Sequence, residues 1–176
     1  MQRSASAPSF SDQLAACQHS AVHLEMRDVY GIASEAEEFA AWKAGDSSSR
    51  YDREGRRKAW LDTVRSAVAR GVSIRRARIV SVPVSDYIRF EHEGTPLNIE
   101  AGEEVRWLSR RDASDLALPG NDFWLFDRQV VRFNHFTGDG ASGGPEVSTD
   151  PSVAKLCDEA FEAVWARAVP HGAFSL

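Results

Sequence analysis

The stretch that most constrains this chain is residues 118–136, LPGNDFWLFDRQVVRFNHF. It concentrates Phe123, Trp124, Phe126, Phe133 and Phe136 and reads as two strands joined around Asp127, Arg128 and Gln129. Side chains alternate between the faces of a strand, so Phe123 and Leu125 point one way, Trp124 and Phe126 the other. Both sets are large and apolar, which predicts an internal strand covered on both sides, as in a layered α/β sheet. The second strand differs: Val131, Phe133 and His135 share one face, while Val130, Arg132, Asn134 and Phe136 share the other. Asp-Arg-Gln is not the Asn-Gly type that fixes a two-residue turn. A two-residue loop would set Asp122 near His135 and a three-residue loop would set it opposite Asn134, and the sequence leaves this register open.

Around this hairpin the periodicities predict a mixed sheet of about five to seven strands with helices on its faces. Residues 1–9 read as a flexible tail and 10–176 as a single α/β domain, a size that supports a sizeable core. A short helix follows through Cys17. Residues 21–27 alternate as a half-buried strand, with His23 and Glu25 facing water or an adjoining layer. Ser34 and Glu37 form a capping-box pattern that starts a helix through Ala44, and 46–53 reads as a loop. A helix is expected over 54–70, with Arg56, Arg57 and Lys58 opposing its dipole unless an acid answers them. Residues 72–80 form a strand whose broken alternation at Arg75 and Arg76 suggests a bulge. Next come a helix over 86–93, a loop over 93–102, a strand over 104–109, and a glycine-rich flexible excursion over 137–147. The clearest helix starts at Asp150 and Pro151, and its apolar stripe should lie across the sheet with the hairpin aromatics as floor.

The net charge of −5 argues against a dedicated nucleic-acid binder. Arg56, Arg57, Lys58 and Arg65 are the cations such a role would use. Two cysteines with no metal spacing fit a reducing cytoplasm. No run is long enough to span a bilayer. The five histidines form no H-x-x-x-H or H-E-x-x-H pattern, so no metal and no cofactor is expected.

Two groups could form a site. Asp122, Asn134 and His135, with Asp139 nearby, place a carboxylate beside an imidazole, a pair able to orient and accept a proton. The competing reading of His135 is a hydrogen-bonded core histidine, and no nucleophile elbow is present. The second group is Arg76, Arg78 and Arg89, with Arg75, Arg110 and Arg111, which could converge on a phosphate or carboxylate. Against it stands simple ion pairing with the chain's 26 acidic residues.

The segments LEMRDVY, RRARIVSVPVSDYIRFEHE, EEVRWLSRRDASDLALPGNDFWLFD, FNHFTGDG and AFEAVWARAVPH resemble an actinobacterial family known as a domain of unknown function. The resemblance covers nearly the whole chain beyond the tail. Genes of that family often lie beside small helix-turn-helix regulators, which implies a regulatory or partner-binding role. A more distant analogy is to phospholipase D-like domains, whose H-x-K signature is absent, since Phe136 and Thr137 follow His135. The expectation is therefore a non-catalytic cytoplasmic regulatory module acting on a small DNA-binding regulator. The alternatives are a small anionic-ligand-binding protein or enzyme around Arg89, Asp122 and His135, and a weak nucleic-acid binder. A homo-oligomer stays open.

Overall fold

The computed structural model describes residues 7–176. The expected tail therefore falls largely outside the described residues, and Ser9, at its end, caps the first helix by accepting the Asp12 N–H. In chain order the elements are α1 (Phe10–Ala16), β1 (Ser20–Glu25), α2 (Ala36–Lys43), α3 (Ser48–Tyr51), α4 (Lys58–Ala69), β2 (Ser73–Val80), α5 (Asp86–Ala101), β3 (Glu103–Ser109), β4 (Asp122–Phe126), β5 (Val130–Phe136), β6 (Ser142–Ser148), α6 (Pro151–Arg167) and β7 (Val169–Pro170). The fold is mixed α/β, with one seven-stranded sheet in the order β6-β5-β4-β1-β2-β3-β7. Strands β1, β2 and β3 are parallel, joined by helical crossovers. The remaining neighbours are antiparallel.

The hairpin β4–β5 lies inside this sheet, and every residue of β4 is buried. Its turn settles the open register. Asp127 and Arg128 both adopt positive φ, the Gln129 N–H donates to Phe126 O at 3.0 Å, and Phe126 pairs with Val130. Three residues thus form the loop, and Asp122 faces Asn134. The Asp127 carboxylate accepts the backbone N–H groups of Gln18, His19 and Ser20 at 2.7–3.0 Å. Those bonds offset the cost of a left-handed non-glycine residue and hold the turn against the start of β1.

The two sheet faces differ in kind. On one, Val22, Leu24, Ala77, Ile79, Phe123, Leu125 and Val131 meet Cys157, Phe161 and Val164 of α6. Each large side chain buried there contributes roughly 1.5–3 kcal/mol. Pro151 sits in the first turn of α6, and the Asp150 side chain accepts the Ser152 N–H, so the helix starts where the sequence indicates. The other face carries two separate apolar clusters. Leu14, Leu61, Val64, Ile74, Trp124 and Phe126 gather under α1 and α4. Tyr87, Ile88, Phe90 and Trp107, with Phe39 and Trp42, gather under α2 and α5. Charged residues fill the ground between these clusters.

Five local expectations need correction. The Ser34–Glu37 capping box does not form: α2 starts at Ala36 behind Glu35, with no side-chain cap. The region read as a loop over 93–102 is the second half of α5, which runs to Ala101 despite Pro96 inside it. Proline in a helix interior costs about 3 kcal/mol; burial of Gly94, Thr95, Leu97, Asn98 and Ala101 on the inner face outweighs it. The break in β2 is no bulge: its register is continuous from Ile74 to Val80 against β3. Both phases of its alternation are satisfied because β2 is covered on both sides, with Arg76 and Arg78 buried and Arg75 half-buried. The excursion over 137–147 runs into β6 (Ser142–Ser148), an edge strand with Pro145, where a missing N–H is tolerated. The loop over 46–53 contains α3, which delivers a buried Arg50.

Candidate functional site

Between the two clusters of the charged face lies a cavity of about 440 Å³, within the usual small-molecule range of about 300–1,000 Å³. Strand register builds its floor in two rows. One runs Arg132, Trp124, His23, Arg76 across β5, β4, β1 and β2. In the other, Asn134 pairs with Asp122 and Glu25 pairs with Arg78, and Asp122 lies next to Glu25, one step beyond the Leu24–Phe123 pair. Helices and the segment after β1 supply the walls: Tyr30, Glu35, Arg50, Arg57, Trp60 and Tyr87 among them.

Most of the charges form one alternating chain. Arg76 reaches Glu103 at 2.8 Å and Glu25 at 2.9 Å. Arg78 bridges Glu25 at 2.8 Å and Glu91 at 3.0 Å. Arg50 continues from Glu91, 3.7 Å away, to Glu38, and Arg56 closes the series on Glu38 at 2.7 Å. Four acids and four guanidiniums are thereby neutralised. Burial alone would lower the Arg76 pKa and raise that of Glu103, but their mutual attraction reverses both, so the pair stays ionised. Arg50 also lies 3.6 Å from the centroid of the Phe90 ring.

Four charged lining residues fall outside this chain. Arg57 donates to Gly94 O at 2.7 Å and to the Asn98 side chain. Arg132 donates to Pro8 O and Gln13 Oε1 at 2.7 and 2.8 Å. Neither has a carboxylate partner among the described residues. Asp122 accepts the Tyr30 hydroxyl and the Met26 N–H. Glu35 accepts the Tyr87 hydroxyl at 2.6 Å, with Arg56 3.9 Å away. Burial lifts the Asp122 carboxyl to about 6; the Tyr30 hydrogen bond opposes this and the Glu25 charge adds to it. Burial and the Glu91 charge raise Glu35 likewise, against its bond from Tyr87.

His23 sits in the middle of the floor, stacked on Trp124 at 4.3 Å between ring centroids. It is only 7 % exposed, and neither ring nitrogen has a hydrogen-bond partner among the described residues. Its Nδ1 is 3.7 Å from Glu25 Oε1, beyond hydrogen-bond range. Burial, then the Arg76 and Arg78 charges, push its pKa well below the usual imidazole range, so it is neutral. A buried polar group left unpaired costs about 1–3 kcal/mol, and such an orphan calls for an explanation.

Of the residues singled out from sequence, Arg76, Arg78, Asp122 and Asn134 line this cavity together. Arg89 does not: it is exposed on α5, between the inward Ile88 and Phe90. His135 does not either. The three-residue turn places it on the opposite face of β5 from Asn134, where it bonds Glu146 at 2.9 Å. Arg75 also points to the far face and pairs with Glu162 of α6 at 2.6 Å. Arg110 is tied to Met26 O and Asp28, Arg111 is exposed, and Asp139 accepts from Thr137 in an exposed turn. The helix cations weighed for nucleic acid are engaged internally: Arg56 by Glu38, Arg57 by Asn98, Lys58 and Arg65 by Asp62.

Sequence reasoning did not single out His23, Glu25, Arg50 or Arg132 as site residues, and it weighed Arg57 only for nucleic acid. A signal existed for some of them. Polar residues recur in phase on three strands, at His23 and Glu25, at Arg76 and Arg78, and at Arg132 and Asn134, so aligned strands must carry a polar stripe. Nothing local marks Arg50 or Gly94. A Cβ at Gly94 would stand 2.9 and 3.0 Å from the guanidiniums of Arg57 and Arg50, so the glycine makes room for both.

Among the described residues, no group of three or more His, Cys, Asp or Glu side chains is placed to hold a metal ion. Among them, too, no helix is long and apolar enough to cross a membrane. No curated protein sequence matches the chain. Over residues 8–176 it matches the family described as Domain of unknown function (DUF6879), and the chain belongs to that family.

Proposed function

We propose that this protein is a ligand-binding module that holds a small charged molecule over the polar face of its sheet. The observation that carries this reading is the 440 Å³ cavity floored by a buried, unpartnered His23. Stability does not require such a face. Replacing buried ion networks by packed apolar residues is often neutral or stabilising by about 1–4 kcal/mol, whereas the face under α6 shows what an ordinary core of this chain looks like. The charges therefore serve the cavity's shape and polarity. The chemistry fits binding better than catalysis: Tyr30, whose pKa burial and the nearby Glu25 and Asp122 charges raise, stays a neutral donor to Asp122. In the regulatory setting that the resemblance implies, occupancy of this cavity is the input and a regulator protein the recipient.

The test is a melting screen of the full chain against small charged metabolites, repeated with Arg132→Gln and His23→Phe. A ligand at one hundred times its Kd adds about 2.7 kcal/mol to stability, which for this size is a rise on the order of 5–10 °C. The shift should shrink in both variants. Shifts that survive both substitutions would place binding elsewhere and remove the reading.

A further inference from the structure

The ligand's charge pattern follows from what the alternating chain leaves over. Glu103, Arg76, Glu25, Arg78, Glu91, Arg50, Glu38 and Arg56 cancel in sequence. The remaining charged lining residues are two guanidiniums and two carboxyls, and they are segregated. Asp122 and Glu35 sit at the tyrosine end: each accepts a tyrosine hydroxyl, and the rings of Tyr30 and Tyr87 are 5.8 Å apart. Arg132 and Arg57 sit at the indole end. Arg132 pairs across the sheet with Trp124, which packs on Trp60 at 5.9 Å. Arg57 is bonded to Asn98, which also holds Glu103 behind Arg76.

We propose that the cavity takes a zwitterionic ligand, with its amine or guanidine held at Asp122 and Glu35 and its carboxylate or phosphate held at Arg132 and Arg57. This rests on the ligand-binding reading above and specifies its chemistry. The two floor rows are two residues apart on each strand, about 7 Å, so the opposite charges of the ligand stand about 7 Å apart or more. That spacing disfavours an α-amino acid and suits an amine and an acid on either side of a ring or a short chain. The span between them is flanked by flat apolar surface from Trp124, Tyr30 and Phe136. Protonation tendencies agree with the geometry. Acids at the tyrosine end hold their protons more tightly, through burial first and then through the nearby Glu25 and Glu91 charges. At the other end burial lowers the Arg57 pKa, Glu91 opposes this, and Arg50, Arg76 and Arg78 lower it further. One end therefore favours a cation and the other an anion.

Calorimetric titration of the full chain tests this with two zwitterions, 4-(aminomethyl)benzoate and 6-aminohexanoate. Their controls are 4-methylbenzoate and hexanoate, which lack the amine, and 4-methylbenzylamine and hexylamine, which lack the acid. At least one zwitterion should bind tenfold or more tighter than both of its controls. Asp122→Asn should remove that advantage while leaving the acid-only control unchanged, and Arg132→Gln should do the reverse for the amine-only control. Asp122→Asn loses a buried charge and Arg132 is half-exposed, so both variants should fold; their melting curves check it. If the acid-only compounds bind as tightly as the zwitterions, the zwitterion is wrong and a simple anion site stands. If neither zwitterion exceeds its controls, the proposal is overturned, while hits from the melting screen that depend on Arg132 and His23 would still support a cavity for another ligand.

Discussion

The two faces of the central sheet share the same strands, but one carries a single apolar layer and the other sets charged residues between two apolar clusters. Under α6, Phe123, Leu125 and Val131 pack with Phe161 and Val164 into an uninterrupted apolar layer. On the reverse, the intervening residues of the same strands are His23, Glu25, Arg76, Arg78, Asp122 and Arg132. The contrast separates two duties. The apolar layer under α6 only removes apolar surface from water, whereas the reverse face does so in two separate clusters and keeps a cavity open between them with charges that must be matched one by one.

That division can be broken deliberately. Phe161→Ala removes a fully buried ring from the apolar face and should destabilise by about 3–5 kcal/mol, measured by urea unfolding. No compensating truncation nearby should restore it, because the loss is of volume. Arg76→Met should cost a similar amount, about 3–5 kcal/mol, for a different reason: it leaves Glu103 buried and ionised without its partner. Here a second change, Glu103→Leu, should recover most of the loss. If the double variant is no better than the single, the charged face is structural and the division of duties fails.

The pH dependence sharpens the same comparison. The Asp122 carboxyl is raised from 3.8 to about 6, so the folded chain retains a proton that the unfolded chain releases. Its favourable contribution is complete below pH ~4 and is lost as pH rises through ~6. Asp122→Asn should therefore match the parent protein near pH ~4 and exceed it by roughly 2–3 kcal/mol above pH ~7. A stability difference that does not vary between those two pH values would contradict the buried setting of this carboxyl. The smallest effect is expected at the start of α5. There Ser85 accepts the Ile88 N–H at 3.1 Å, and Ser85→Ala should cost about 1 kcal/mol without altering ligand binding.

Much of the fold was legible in local pattern. The doubly apolar alternation of residues 123–126 identified an internal strand, and the Asp150–Pro151 start with its apolar stripe identified α6. The arginines of β2 look like a bulge in sequence, because alternation alone does not distinguish a distorted strand from one whose polar groups are buried and paired. The second half of α5 is hidden at Pro96, where local preference opposes a helix and tertiary burial prevails. The candidate site was legible in pieces. Arg76, Arg78, Asp122 and Asn134 were singled out and meet; Arg89 and His135 were singled out with them and do not.

By itself, the sequence determined the strongly patterned elements, β4 and α6 above all, and which of their faces are apolar, since those follow from the spacing of neighbours along the chain. Only the tertiary structure decided that His23, Arg76, Trp124 and Arg132 form one row, that four acids and four guanidiniums cancel in series, and that a cavity remains beside them. The reason is physical. Periodicity is set within a few residues, whereas register and charge pairing depend on partners such as Asp122 and Met26, or Arg57 and Asn98, that lie far apart in the chain and meet only when the sheet closes.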